Sequence, residues 1–247
     1  MRTEVIGNTM PVLEVWLSPG ETVLSESGRL AWIDQNIELA TAMGGVAGSN
    51  GVFGALKRAV GGSTLFMTEY STQAPDSFMS FAATLPGQII QLEVAPGNDL
   101  MVHRGGFLCG HGALELSVGI QKKLGAGIFG GAGVVMQKVS GQGTAWLELG
   151  GEIRAYELAA GQSFRVHPGH LGAFEQSVSL NFASIKGIKN KFFGGGLFLA
   201  ELHGPGKIWL QSLSVPHLAD ALAPYLASDA AAAGAAGGFA VNLGNNN

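Results

Sequence analysis

The segment Lys122–Met136, KKLGAGIFGGAGVVM, carries the glycine spacing of a dinucleotide-binding turn at Gly125, Gly127 and Gly130. In such a turn the glycines let the backbone approach a pyrophosphate, which the N-terminus of the following helix holds. Here the following residues are short, rich in valine and reach a predicted turn at Gly141–Gly143, so no crossover helix fits. The spacing does not indicate a nucleotide site, and the sequence predicts no cofactor.

The histidines are the next candidates for chemistry, as metal ligands. His103 and His167 each lie six residues after a glycine of a predicted turn, and Glu26 takes the equivalent place earlier in the chain. The other histidines are scattered along the sequence: His111, His170, His203 and His217. No His-x-His pair occurs, and His167-Pro-Gly-His170 is interpreted as a polar turn. We predict no metal ligand, and keep metal binding through His103 or His167 as an alternative.

Catalytic groups are not recognisable in the sequence. There is no Gly-x-Ser-x-Gly elbow for a serine nucleophile. The single cysteine, Cys109, aligns with Trp32 and Ala173 in a repeated pattern, which favours a packed side chain over a nucleophile. Glu93 and Glu157 also align with each other, and two carboxylates in separate repeats do not form an acid–base pair. The sequence therefore predicts no catalytic residue and favours a protein that is not an enzyme.

Three glycine-rich loops share a composition that suits a binding surface. Half of the fourteen basic residues lie in these loops: Lys57, Arg58, Lys122, Lys123, Lys186, Lys189 and Lys191. Large apolar residues accompany them, among them Phe53, Phe129, Phe192 and Phe193. The apolar side chains could close the ends of β-units while the lysines stay solvated. Alternatively, the loops form an apolar and basic rim that contacts an anionic membrane surface or a polyanion.

The composition limits the kinds of partner that the chain can have. Only 13% of the 247 residues are charged, about half of the usual share of roughly 25%, which indicates either extensive burial in β-structure or burial of surface between copies of the chain. The net charge of −4 argues against a nucleic-acid partner. One cysteine, no signal-peptide pattern and no long apolar run predict a soluble, cytoplasmic protein, with a peripheral membrane role left open.

The elements that must position these residues come from an internal repeat. Three segments align without gaps, VWLSPGETVLSESG, LEVAPGNDLMVHRG and YELAAGQSFRVHPG, with turn glycines Gly20, Gly97 and Gly161. Alternating apolar residues between two glycine turns predict β-strands. We predict an all-β domain over residues 1–228, built of three repeats at about 5–83, 84–147 and 148–214. A short C-terminal helix at 215–228 and a flexible low-complexity tail at 229–247 follow.

Three further segments carry a family resemblance: GVFGALKRAVGGSTLFMTEY, GGLFLAELHGPG and SLSVPHLADALAPYL. They resemble a family of bacterial and mitochondrial proteins named for altered inheritance of mitochondria, over about residues 5–228. The resemblance implies a fold like the tryptophan RNA-binding attenuation protein, with three double-stranded β-helix units in one chain. By analogy with that ring protein, it implies a trimeric ring of nine units. It brings no established activity, and mitochondrial members are implicated in inner-membrane organisation.

Together these patterns favour one function over two alternatives. The leading hypothesis is a non-catalytic, ring-forming scaffold or binding protein that acts at a membrane surface. The first alternative is a double-stranded β-helix protein or enzyme that binds a metal through the histidines. The second is an RNA-binding ring, against which the acidic charge and the absence of repeated aromatic stacking positions argue.

Overall fold

The computed structural model describes residues 1–43, 66–122, 134–184 and 198–236. Apart from one helix and one short 3-10 turn, Pro168–His170, the regular structure of these residues is β-strand, which confirms an all-β fold. The strands are β1 Arg2–Ile6, β2 Val12–Leu17, β3 Thr22–Glu26, β4 Leu30–Ile33, β5 Ile37–Met43, β6 Phe66–Thr72, β7 Ser77–Ala82, β8 Gly87–Val94, β9 Leu100–His103, β10 Phe107–Lys122, β11 Val134–Gly150, β12 Ile153–Leu158, β13 Ser163–Val166, β14 Leu171–Glu175, β15 Ser179–Ser184, β16 Phe198–His203 and β17 Gly206–Gln211.

The strand sequences follow the two-residue period of a sheet with one buried face. In β2, Leu13, Val15 and Leu17 are buried while the residues between them are partly exposed. Burial of such aliphatic side chains stabilises the fold by roughly 1.5–3 kcal/mol each. Strands at the centre of the molecule, such as β14, are buried on both faces, and the first four residues of β14 are correspondingly apolar or glycine.

The strands pair in three groups that have the same internal order. The first group consists of β2-β7-β4 in one sheet and β3-β6-β5 in a second sheet. The second group consists of β8-β11-β10 and β9-β11-β10. The third group consists of β12-β17-β14 and β13-β16-β15. In the middle group the long strands β10 and β11 run through both sheets. Neighbouring groups are joined by β3 with β10 and by β9 with β14, which yields one ten-stranded sheet.

The predicted turn at Gly141–Gly143 is wrong, because β11 continues through it as far as Gly150. The strand bends there instead. Gly141 has φ +110°, and a Cβ at this position would collide with the carbonyl oxygen of Ala113 on β10. Gly112 on β10 has φ +103° and faces the same bend. The glycines therefore let two paired strands pass together from one sheet into the next, which is a role of glycine at sheet corners.

The C-terminal helix α1, Val215–Ala236, is longer than the predicted 215–228 and passes through Pro224. Ser214 precedes it, and the Ser214 carbonyl accepts a hydrogen bond from the Leu218 amide. Alanine has the highest helix propensity of all residues, so the alanine-rich segment after Asp229 extends the helix where we predicted a flexible tail. Residues 237–247 of that predicted tail lie outside the described residues.

Candidate functional site

The two junctions inside the chain use the same strand pairing in the same register. At each junction, the strand that follows the first turn glycine of one repeat pairs with the strand that follows the second glycine of the next repeat. These strands are β3 with β10 at the first junction and β9 with β14 at the second. The paired residues are Ser25 with Cys109 and Leu24 with Gly110 at the first junction, and Val102 with Ala173 and Met101 with Phe174 at the second. By the sequence alignment of the repeats, these pairs occupy equivalent positions.

The corresponding strands at the two ends of the chain have free edges among the described residues. β4 pairs with β7 alone, and β13 pairs with β16 alone. Trp32 on β4 is 48% exposed, whereas the equivalent Cys109 and Ala173 are fully buried at the junctions. The Arg165 side chain on β13 is 67% exposed, although its equivalent Met101 is buried. Among the described residues, the chain thus has one free strand edge of each of the two kinds that pair at the junctions.

An ion pair between the partly buried Arg29 and the buried Glu148 connects the first group of strands to the second. The Arg29 guanidinium donates to Glu148 Oε2 at 3.2 Å, to Thr84 Oγ1 at 2.9 Å and to the Gly105 carbonyl. Glu148 is only 6% exposed, and its Oε1 accepts the backbone amide of Thr84 at 2.7 Å. These residues line a cavity of about 190 Å³ beside His103. Since every charge is matched by a partner, the network has a structural role.

Three histidines, two from one short turn and one from a distant part of the sequence, meet where the 3-10 turn contacts α1. His167 precedes the 3-10 turn, His170 ends it, and His217 lies in the first turn of α1. One imidazole nitrogen from each lies within 4.8 Å of the others. His167 and His170 are half-buried, and His217 is exposed. Among the described residues this cluster is the arrangement that could hold a metal ion.

Hydrogen bonds fix the inner part of the histidine cluster. His170 Nδ1 lies 2.9 Å from the Gln211 carbonyl oxygen. The buried Gln211 side chain donates to the Gly169 carbonyl at 3.2 Å and accepts the Gly150 amide at 2.9 Å. A Cβ at Gly169 would collide with the Ser214 hydroxyl. The glycine therefore allows the turn to approach the start of α1 closely enough for the histidines to meet.

Burial lowers the pKa of His167, and the neighbouring His217 and His170 lower it further by charge repulsion. Burial likewise lowers the pKa of His103, whose Nδ1 is 3.0 Å from the Arg104 carbonyl. Burial raises the pKa of the Cys109 thiol well above its ordinary value. The cysteine is fully buried, as its alignment with Trp32 and Ala173 indicated, and it is not placed as a nucleophile.

Mild acid should destabilise the protein because of the lowered histidine pKa values. Between a lowered folded pKa and the ordinary pKa of about 6.5, the unfolded state binds more protons, so the free energy of unfolding falls as the pH falls. We expect a lower urea midpoint at pH 5.5 than at pH 7.5. His103→Gln should reduce this difference, since His103 is one of the two histidines whose pKa burial lowers. An unchanged pH dependence in this variant would contradict the assignment.

The residues predicted to contact an anionic partner lie almost entirely outside the described part of the chain. These are Lys57, Arg58, Lys123, Lys186, Lys189 and Lys191, together with Phe53, Phe129, Phe192 and Phe193. Lys122 is the last residue of β10. The strand ends that flank the three segments are paired in the same way: Met43 with Phe66, Lys122 with Val134 and Ser184 with Phe198. All three segments thus leave equivalent ends of the three groups.

Sequence reasoning kept His167 as a possible ligand and considered His103 as its counterpart. The structure instead brings His167 together with His170 and His217, two histidines that we had interpreted as scattered. A signal was present for one of them, since His167 and His170 flank a Pro-Gly turn. His217 gave none, because its position depends on how α1 packs against that turn.

The three groups of paired strands define an antiparallel all-β protein with a C-terminal helix. The chain belongs to the family described as mitochondrial biogenesis AIM24, whose sequence profile matches residues 3–213. A relative from Streptococcus pyogenes serotype M6, described as an uncharacterised protein, is 26% identical over 219 residues and covers 87% of each chain. A crystal structure of a Streptococcus pyogenes protein has a TM-score of 0.70 at 24% identity, covering 91% of this chain and 99% of that one.

The described helices include none that is both long and apolar enough to cross a bilayer.

Proposed function

We propose that the protein is a ring-forming scaffold that assembles by pairing β13 of one chain with β4 of the next. The observation that carries this proposal is the repeated register of the two internal junctions, together with one free strand of each kind at the chain ends. Extending that register places Val166 opposite Trp32 and Arg165 opposite Ile33 of the neighbouring chain. The three-stranded and four-stranded sheets would then join into one.

The exposed edge of β4 supports such a contact energetically. Covering the exposed 48% of Trp32 would contribute about 2–3 kcal/mol at 25 cal/mol per Å². Backbone donors and acceptors of β4 and β13 would also find the partners that their equivalents have within the chain. Unpaired edge strands are pairing templates in other sheet proteins, which manage them by covering or blocking.

The pairing would be directional, because two different surfaces meet. A head-to-tail contact of this kind closes into a ring when the rotation between chains permits, and forms a filament otherwise. We propose a closed ring of three chains. The low charged fraction of 13% fits a chain that buries part of its surface in this way.

A cysteine pair tests the proposed register directly. In a background with Cys109→Ala, we expect Val166→Cys with Trp32→Cys to form disulfides between chains, because paired residues lie within the Cα distance of about 4.4–6.8 Å that a disulfide requires. Covalent dimers and trimers should appear on a non-reducing gel. Val166→Cys with Leu39→Cys is the matched control, since Leu39 is exposed on β5. Equal cross-linking of both pairs would refute the register.

The proposed place of action is an anionic membrane surface. What supports it is the basic and apolar composition of the segments 44–65, 123–133 and 185–197, which leave equivalent ends of the three strand groups. A ring of three chains would contain nine such segments, and weak contacts made by each would add by avidity. Basic and aromatic side chains make individually weak contacts with anionic lipid of this kind.

Flotation with vesicles that contain phosphatidylserine tests the membrane component separately from assembly. We expect the protein to float with these vesicles and to stay at the bottom with neutral ones. Replacing Lys57, Arg58, Lys122, Lys123, Lys186, Lys189 and Lys191 by glutamine should abolish flotation without changing the native mass. Unchanged flotation of this variant would refute the membrane role and leave the scaffold proposal intact.

A further inference from the structure

We propose that His167, His170 and His217 form a binding site for a first-row divalent metal ion, with Zn²⁺ as the reference ion. The site is built from one chain and does not depend on assembly. It joins the end of β13, the 3-10 turn and the first turn of α1. Three neutral imidazoles, with water in the fourth coordination position, form a known ligand set for zinc.

The geometry requires only a small contraction to bind the ion. Zn–N distances of about 2.0–2.1 Å place tetrahedral ligand nitrogens about 3.3 Å apart, and the three candidate nitrogens already lie within 4.8 Å of one another. The His167 and His217 rings are stacked with centroids 4.6 Å apart and planes inclined by 29°. Because His217 is exposed on the first helical turn, a rotamer change of this one side chain can open the stack.

The tautomer of His170 suits a ligand. A backbone carbonyl only accepts hydrogen bonds, so the contact between His170 Nδ1 and the Gln211 carbonyl, at 2.9 Å, requires the proton on Nδ1. The Nε2 lone pair is then available to a metal. Metal-bound histidines usually donate their other nitrogen to a carbonyl or carboxylate in this way, which fixes the ring orientation.

The surroundings of the cluster supply a buried polar group. The Ser214 hydroxyl is 3% exposed and finds no hydrogen-bond partner among the described residues. It lies against Gly169, in the middle of the turn that carries His167 and His170. A hydroxyl there can donate to, or accept from, a water that completes the coordination of the ion.

The donor set selects the class of metal. Imidazole nitrogens suit Zn²⁺, Cu²⁺, Ni²⁺ and Co²⁺, whereas Mg²⁺ and Ca²⁺ require oxygen ligands. The cluster contains no carboxylate. We therefore expect the site to bind Zn²⁺ and Co²⁺ and to ignore Mg²⁺.

The position of the site in the repeat is also informative. His167 occupies the place that Glu26 and His103 take in the other two groups. Glu26 accepts a hydrogen bond from Gln137, and His103 packs against Gly106. Only the third group has a second histidine three residues later and α1 beside it. The site should therefore occur once in each chain.

Metal titration of the untagged full-length protein tests the proposal. After treatment with EDTA and its removal, we expect one Zn²⁺ per chain in a competition assay with a chromophoric chelator. Co²⁺ should give the strong visible absorption of a tetrahedral site. His217→Ala should weaken Zn²⁺ binding by at least about tenfold and remove the Co²⁺ bands, since losing even an outer-sphere partner costs about 10–100-fold.

His217→Ala is the informative variant because an exposed residue contributes little to folding. His203→Ala is the matched control, since His203 lies on β16 outside the cluster. Wild-type protein that binds less than one Zn²⁺ per chain at micromolar concentration would overturn the proposal. Equal Zn²⁺ affinity in His217→Ala and the wild type would overturn it as well. The result is independent of the native mass, which tests assembly.

Discussion

Trp32→Glu should convert the assembled protein into monomers. In the proposed interface Trp32 lies opposite Val166 of the neighbouring chain, where the equivalent residues Cys109 and Ala173 are fully buried. A glutamate there would bury a charge without a partner, at a cost of several kcal/mol. By native mass spectrometry we expect the wild type at three times 25.4 kDa, about 76 kDa for a closed ring, and the variant at the mass of one chain.

Leu39→Glu provides the control for this result. Leu39 is even more exposed than Trp32, at 56%, but lies on β5, outside the proposed interface. The same change of charge there should leave the native mass unaltered. A wild-type protein that is monomeric at micromolar concentration would contradict the assembly, and an assembled Trp32→Glu variant would contradict its location.

Glu148→Ala should be the most destabilising single substitution among the charged residues described above. It removes the carboxylate that faces Arg29 and that accepts the amide hydrogens of Thr84 and Leu85. Breaking a buried ion pair from one side costs about 3–5 kcal/mol, and we expect the lower end of this range because the Arg29 side chain is 16% exposed and keeps Glu26 at 3.9 Å. Urea unfolding, followed by circular dichroism in the monomeric Trp32→Glu background, measures this loss without the contribution of assembly.

A double variant separates the net contribution of the Arg29–Glu148 pair to the free energy of unfolding from the cost of leaving one buried charge unpaired. Replacing both partners, as Arg29→Met with Glu148→Leu, should recover much of the stability that Glu148→Ala loses. Glu115→Ala, at an exposed site on β10, should change the free energy of unfolding by less than about 0.5 kcal/mol. A loss below about 1 kcal/mol in Glu148→Ala would show that water takes over the role of the carboxylate.

Much of the fold could be predicted from the sequence because local rules determine it. The turn glycines Gly20, Gly97 and Gly161 all have positive φ, between +80° and +83°, and each precedes a strand of the same kind. The alternation of apolar residues between the two glycine turns correctly predicted strands such as β9. The prediction failed where a glycine serves a contact with a distant strand, as Gly141 does, since its reason is the proximity of Ala113.

The candidate sites depended on contacts that the sequence does not encode locally. Arg29 and Glu148, which form the ion pair, are 119 residues apart in the sequence. His217 joins His167 and His170 through the packing of α1. The free edges of β4 and β13 became visible only once their equivalents were seen to be paired. Equivalent positions of the three repeats thus have different structural surroundings, which a sequence alignment alone does not reveal.

The unlike edges of the chain have a genetic consequence. In the proposed assembly, a chain whose β4 is blocked would still offer β13 to a normal neighbour, and so would enter a growing assembly and terminate it. In a cell that makes both forms equally, only about one ring of three in eight would contain normal chains alone, if chains mix at random. Damage to one edge should therefore behave as a dominant trait, whereas loss of both edges should behave as a recessive one.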